Sequence, residues 1–189
     1  MRTIKKFLRI VVTRLLVIDS VILFKMDTPK SISSPAIINK ANNQNLPDVL
    51  LFQDKRYLPI FKKFLEKGDI GYFGYIDGEC IHRSWVITNE GSTYNPHPLV
   101  KAQLKKNEVY IHYCETAPIA RGKNIYPYVI SEIAKEFSGK DVLICVNEKN
   151  TPSVNGVKKA GFKPMQLISI FAILGIVFRR KQNIKDEDI

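Results

Sequence analysis

Glu108-Val-Tyr-Ile-His-Tyr-Cys-Glu-Thr-Ala-Pro-Ile-Ala-Arg-Gly-Lys-Asn-Ile-Tyr-Pro127 is the stretch whose reading decides the fold. Its first part, Glu108 to Glu115, is rich in Val, Tyr and Ile and predicts a strand. A loop over 116–124 carries Arg121, Gly122 and Lys123, and a helix is expected over roughly 125–138, with Tyr126, Ile130, Ile133 and Phe137 on one face and Gly139 closing it. Pro127 lacks an N–H and fits only in the first helical turn, which puts Asn124 at or near the N-cap. A strand passing through such a loop into a helix leaves free N–H groups at the positive end of the helix dipole, an arrangement suited to phosphate, and Arg121 and Lys123 add matching charge. An ordinary capped loop with solvated cations fits the same residues.

Working outward, Val142-Leu-Ile-Cys-Val146 reads as a buried central strand, and roughly 152–160 as a helix closed by Gly161. Two further strands follow, from Phe162 and from Ile176, turned at Gly175. Upstream, Gly71 to Ile76 and Cys80 to Ile87 form a hairpin around Asp77-Gly78, a dipeptide suited to tight turns, and Asn89 to Pro98 reads as a polar loop. Leu46–Phe52 and Tyr57–Leu65 predict two short helices, and 27–47, with Pro29, Pro35 and Pro47, predicts a loop acting as a hinge. The expected division is an N-terminal segment, 1–26, and a body, 27–189. Within the segment, Val21-Ile-Leu-Phe24 reads as a short strand. Ile4, Phe7, Leu8, Val11, Val12, Leu15 and Leu16 form one helical stripe opposite Lys5, Lys6 and Arg9. That stripe fits either a helix packed on the domain or one lying on an anionic membrane through residues 1–16.

The chain of 189 residues suits one domain, and a hydrophobic content of 45% argues against global disorder. The net charge of +11 suits nucleic acid, an anionic membrane or a phosphorylated small molecule. Nucleic acid is the weakest of these, because the basic residues are scattered and no element interleaves them with aromatics. Cys80, Cys114 and Cys145 lack CxxC spacing, so no zinc site, other metal site or disulfide framework is expected, and a reducing, cytoplasmic location follows. Lys5, Lys6, Arg9, Arg14 and Asp19 interrupt the N-terminal apolar stretch too often for a spanning helix.

Pro118-Ile-Ala-Arg-Gly-Lys-Asn-Ile-Tyr126 resembles the P-x-x-R-G-x-G-x-G/A element of GNAT-type N-acetyltransferases. Val146-Asn-Glu-Lys-Asn-Thr-Pro-Ser153, continuing to Val157-Lys-Lys-Ala-Gly-Phe162, resembles their later V-x-x-x-N-x-x-S…K-x-G-F element. Two elements in this order, with a buried strand between them, make 108–164 the cofactor-binding core that the resemblance implies. The implied fold is α/β, a mixed and mostly antiparallel sheet flanked by helices, here with an added N-terminal amphipathic helix. The implied activity is transfer of an acetyl or other acyl group from acyl-CoA to the amine of a small molecule, an amino sugar being one candidate. By resemblance, the CoA diphosphate rests on the backbone of Arg121, Gly122, Lys123, Asn124, Ile125 and Tyr126. The pantetheine arm pairs with Cys114 to Thr116, and Asn150 and Ser153 reach the cofactor. Asn150 or Thr151 serves equally as a helix cap, with Pro152 in the first turn.

Asn124 and Tyr126 stand where the family has small residues; Asn tolerates the left-handed region, and Tyr126 is expected to turn its ring away from the cofactor. Val157 stands where many members place the Tyr that protonates the departing thiolate. For a general base, Glu115 and His112 are the candidates, on opposite faces by strand alternation; pairing of Glu115 with Arg121 or Lys123 is the competing reading. His82 is a third base candidate, and His82 and Arg83 are the expected acceptor-binding residues, although a strand histidine is more often packed. Two other readings stand beside the enzyme: a CoA-binding protein that has lost catalysis, and a basic peripheral membrane or nucleic-acid-binding protein.

Overall fold

The computed structural model describes residues 16–189. The expected amphipathic helix at 4–16, and with it the membrane contact assigned to that segment, lies outside the described residues apart from Leu16, which opens the first strand. That strand, β1 (Leu16–Met26), extends the expected Val21–Phe24 strand in both directions. Then come β2 (Ile37–Lys40), 3-10 turns at Leu46–Leu51 and Lys55–Tyr57, and α1 (Leu58–Glu66). The middle of the chain supplies β3 (Ile70–Ile76), β4 (Glu79–Ile87), β5 (Thr93–His97), β6 (Val100–Gln103) and β7 (Glu108–Thr116). The rest is α2 (Ile125–Glu136), β8 (Asp141–Asn147), α3 (Thr151–Ala160), β9 (Phe162–Ile173) and β10 (Ile176–Asn183).

Eight strands form one sheet in the order β10-β9-β1-β8-β7-β4-β3-β2. Among the described residues only β7 and β8 run parallel, as the βαβ crossover through α2 requires. Both faces are covered. The α2–α3 side holds Ile22, Phe24, Val86, Ile111, Val129, Ile130 and Ile144, all buried. The other side packs α1 on Phe73 and Trp85, and β5–β6 on Leu23, Tyr110 and Leu143.

Three expectations are corrected here. The stretch 27–47 is not all loop: Ile37–Lys40 pairs antiparallel with β3 and forms a sheet edge. Its prolines leave a short window with β-branched residues, enough for an edge strand. Residues 16–26 are no appendage across a hinge, because β1 lies between β8 and β9 and is hydrogen-bonded to both. Its apolar run Val21–Phe24 is buried on both faces, as a central strand demands. The loop at 89–98 contains β5, which pairs with β6 in a second hairpin. Tyr94 anchors it by stacking on Tyr110 with ring centroids 4.1 Å apart, a tertiary contact that overrides the polar local composition. The Asp77-Gly78 turn forms as expected, with φ of 51° and 82° at its two residues.

Candidate functional site

Strands β7 and β8 pair only at their beginnings, Glu108 to Ile111 against Asp141 to Ile144. Beyond those residues they part, while β7 stays bonded to β4 as far as Thr116, and β8 to β1 as far as Asn147. The inner edges of the two strands therefore face a cleft instead of each other. That cleft has a volume of about 850 Å³ and is lined from β7 by His112 to Thr116, and from α3 by Asn150, Ser153, Gly156 and Lys159. Arg121, Gly122, Asn124, Ile125 and Tyr126 line it from the loop and head of α2.

The head of α2 is built as the sequence implied. Asn124 is the N-cap, in the left-handed region at φ 59°, and Pro127 falls in the first turn. The amides of Gly122, Lys123, Asn124, Ile125 and Tyr126 make no hydrogen bond among the described residues; the first helical bond runs from Tyr128 N–H to the Asn124 carbonyl. Five consecutive free donors at a helix start have the geometry that suits an anion. The Asn124 side chain does not cap the helix; its Oδ1 accepts from Lys159 Nζ at 2.8 Å. Lys159 thus brings a third cation, from α3, to the loop that already holds Arg121 and Lys123. It escaped the sequence reading because only the packing of α3 against α2 brings it there. At α3, Asn150 is the N-cap, its Oδ1 accepting from the Ser153 N–H at 3.3 Å, so its capping role is realised while the residue lines the cleft.

Tyr126 solves its sterically awkward place by packing across to α3. A Cβ added at Gly156 would lie 2.7 Å from its Cδ1, so the ring occupies the space a side chain there would need. The ring also lies 6.1 Å from that of His82. Burial raises its phenol well above the usual range, so the hydroxyl keeps its proton, and the residue is part of the cleft lining. Val157, one residue on, is fully buried in the core and presents nothing to the cleft.

A bulge in β7 overturns the expectation that His112 and Glu115 point to opposite faces. Trp85 pairs with His112 and Arg83 with Glu115, so three steps on β7 oppose two on β4, and Tyr113 takes φ 50°. The extra residue restores parity, and both side chains turn to the α1 side of the sheet. Glu115 meets Arg83 there, Oε2 to Nη2 at 2.8 Å, instead of Arg121 or Lys123. Its side chain stays 41% exposed, and Oε1 makes no hydrogen bond among the described residues.

Arg83 is corrected from acceptor-binding cation to buried brace. Its side chain is 4% exposed, donates to Gln53 Oε1, to Glu115 and to the Tyr113 carbonyl, and lies over the rings of Tyr57, Phe61 and Tyr113. The guanidinium holds the bulge by its carbonyl. His82 is likewise no acceptor contact. It is wholly buried, bonded through Nδ1 to Thr116 Oγ1 at 2.7 Å and through Nε2 to Ser84 Oγ at 2.8 Å, and burial pushes its pKa down to about 3. His112 lines the cleft, but burial and then Arg83 hold it at about 3 as well. Its Nε2 lies 3.7 Å from Asp69, too far for a hydrogen bond, and because the ring stays neutral the two make no ion pair. Cys114 also lines the cleft, with its thiol pushed up to about 11 by burial, which leaves it inert as a nucleophile.

A scan against protein-family models matches none, and a search of curated proteins returns no relative. Solved structures are similar. A GNAT-family acetyltransferase from Colwellia psychrerythraea superposes with a TM-score of 0.63 at 13% identity, over 84% of this chain and 57% of that one. A GCN5-related N-acetyltransferase-like protein from Streptococcus suis gives 0.57 at 10% identity, over 89% and 67%. The GCN5-related glucosamine N-acetyltransferase region of a fungal multi-domain beta-N-acetylglucosaminidase gives 0.59 at 12% identity, over 92% and 23%. The chain spans 57% of the Colwellia protein's length. The fold is that of the GNAT acetyltransferases, a mixed α/β fold with a large, mostly antiparallel sheet.

Proposed function

We propose that the chain is an N-acyltransferase that moves an acetyl or related acyl group from acyl-CoA to the amine of a small molecule. One observation carries this reading: the parted strands β7 and β8 open directly onto five free amides at the head of α2, with Arg121, Lys123 and Lys159 around them. A slot with unpaired strand edges suits an extended amide-bearing arm, and the amides with their cations suit the diphosphate that ends it. The residues present therefore fit the group. Cys114 to Thr116 would pair with the arm, Asn150 and Ser153 would flank it, and residues 121–126 would hold the phosphates.

Bound acyl-CoA would supply an activated thioester carbonyl, the new amide C–N bond forming as the C–S bond breaks and CoA leaves as its thiol. Two proton movements remain for the protein. Glu115 takes the amine's proton: it lines the cleft, and Arg83 holds one carboxylate oxygen while Oε1 carries no hydrogen bond among the described residues. His112, neutral down to about pH 3, is too weak a base for this. Tyr126, a cleft-lining residue that keeps its phenolic proton, is the donor we assign to the departing sulfur, where Val157 offers none. His82, bonded to Thr116, is a positioning residue that holds the end of β7. The acceptor is a small amine. An amino sugar is the candidate we favour, supported by the glucosamine named for the fungal neighbour.

The direct test is thermal denaturation with acetyl-CoA, which is expected to raise the melting temperature; no shift at millimolar cofactor would remove the reading. The absence of an acid at Val157 favours one second reading, a CoA-binding protein without turnover. It predicts the same thermal shift with no amine-dependent release of CoA.

A further inference from the structure

The far end of the sheet carries a surface unrelated to the cleft. On one face, the register places Ile18, Phe171 and Phe178 side by side, and Leu16, Ile173 and Ile176 in the next row. Neither α2 nor α3 covers these rows. Ile18 is 66% exposed, Phe178 56% and Ile176 61%, and the Phe171 and Phe178 rings lie 6.2 Å apart. At the tip, Leu174-Gly175 forms the two-residue turn, with Leu174 at φ 50° and 67% exposed. Turns of this kind normally take Asn, Asp or Gly. A γ-branched apolar residue held in the left-handed region and presented to solvent is costly twice over, in conformation and in exposure. Six contiguous apolar side chains with such a tip mark a contact surface.

Charge identifies the contact. Arg180 occupies the row immediately behind Phe178 on the same face, about 7 Å along the strand, and Arg179 and Lys181 flank it; all three are exposed. Apolar side chains followed at that distance by cations match the depth of a headgroup layer, with the acyl boundary in front and phosphates behind. A second copy of the chain is the poorer occupant. β10 is an edge strand, but antiparallel pairing of two copies centred on Arg180 would bring Arg179, Arg180 and Lys181 against their own counterparts, and registers that avoid this shorten the paired stretch. We propose that the β9–β10 tip docks on an anionic lipid surface, inserting Leu174 and its apolar neighbours while Arg179, Arg180 and Lys181 meet lipid phosphates. β1 begins beside this tip, Leu16 pairing with Ile173.

The test is co-sedimentation of the full chain with vesicles of phosphatidylcholine alone and of phosphatidylcholine with phosphatidylserine. Binding is expected to the anionic vesicles only and to weaken with salt. Leu174→Asn suits the turn better, so it should leave the melting temperature unchanged or higher while lowering vesicle affinity about tenfold. Paired Arg179→Glu and Arg180→Glu should lower affinity and flatten the salt dependence. Three results would each overturn the proposal. The first is no anionic binding by the full chain. The second is binding that Leu174→Asn leaves intact, including binding abolished only by deletion of residues 1–15. The third is a dimer that Leu174→Asn dissociates, with no lipid affinity.

Discussion

The ring of Tyr126 fills the place that a side chain at Gly156 would take: a Cβ there would stand 2.7 Å from Cδ1 and 3.0 Å from Cε1. Each residue makes sense only through the other. The family-like loop has room for Tyr126 because α3 has none of its own side chain at the crossing, and the cleft gains a phenol in exchange.

Gly156→Ala therefore has the opposite sign from the usual helix substitution. Gly to Ala inside a helix ordinarily stabilises by about 0.5–1 kcal/mol. Here it should destabilise by about 1–3 kcal/mol through overpacking against the ring. In a Tyr126→Ala background the same change should turn favourable, a coupling that denaturant melts of the double-mutant cycle will measure.

Tyr126→Phe keeps the packing and removes the hydroxyl. Turnover with a poor leaving thiolate should fall by about 10²-fold or more, with acetyl-CoA affinity unchanged in calorimetry. Unaltered turnover would assign the ring a packing role alone.

Glu115→Gln should leave the acetyl-CoA thermal shift intact and lower amine-dependent CoA release about 10²–10⁴-fold. Because Arg83 is braced independently by Gln53 and the Tyr113 carbonyl, the melting temperature should move little. Arg83→Leu behaves differently. It frees the part-buried bulge carbonyl and Glu115 and strips the buried Gln53 Oε1 of its donor, so a loss of roughly 2 kcal/mol is expected, read by chemical denaturation.

Acid should weaken the fold. His82 and His112 stay neutral to about pH 3 when folded, against an ordinary value of 6.5, so the unfolded chain binds more protons below that value. Stability is thus full above pH 6.5 and falls as pH drops, by about 1.4 kcal/mol per unit for each histidine. Asp69 acts in the opposite sense: burial raises it from 3.8 to about 6, so the folded chain keeps a proton that the unfolded chain releases. Between pH 6 and 4, two histidines less one carboxyl leave a net slope of about one proton. A stability curve that is flat in that window would contradict this account.

Lys159→Ala tests the cation that joins the loop from α3. It should weaken CoA binding by a few-fold at low salt and reduce the salt dependence of that binding, without altering the affinity for acetyl-pantetheine, which lacks the diphosphate.

Local chemistry made much of this molecule legible. The Asp77-Gly78 hairpin, the helix start fixed by Asn124 and Pro127, the αL stop at Gly161 and the buried strand at Val142–Val146 each depend on residues within a few positions of one another. The free amides at the head of α2 belong to the same local class, so the sequence by itself determined where that run of unpaired donors lies. Long-range pairing decided the rest. Periodicity could not place β1 between β8 and β9, nor recover β5, whose stability comes from Tyr110. Nor could alternation locate a bulge, because the extra residue is specified by a partner strand and by Arg83 reaching a carbonyl from β4. That one inserted residue turned Glu115 and His112 to a common side, buried Arg83 between them and the rings, and left Glu115 as the carboxylate facing the cleft. The surroundings of Glu115, His112 and Arg83 were tertiary for this reason: burial and partner geometry set which side chains meet solvent and which are spent on holding strands, and neither quantity is encoded within a single segment.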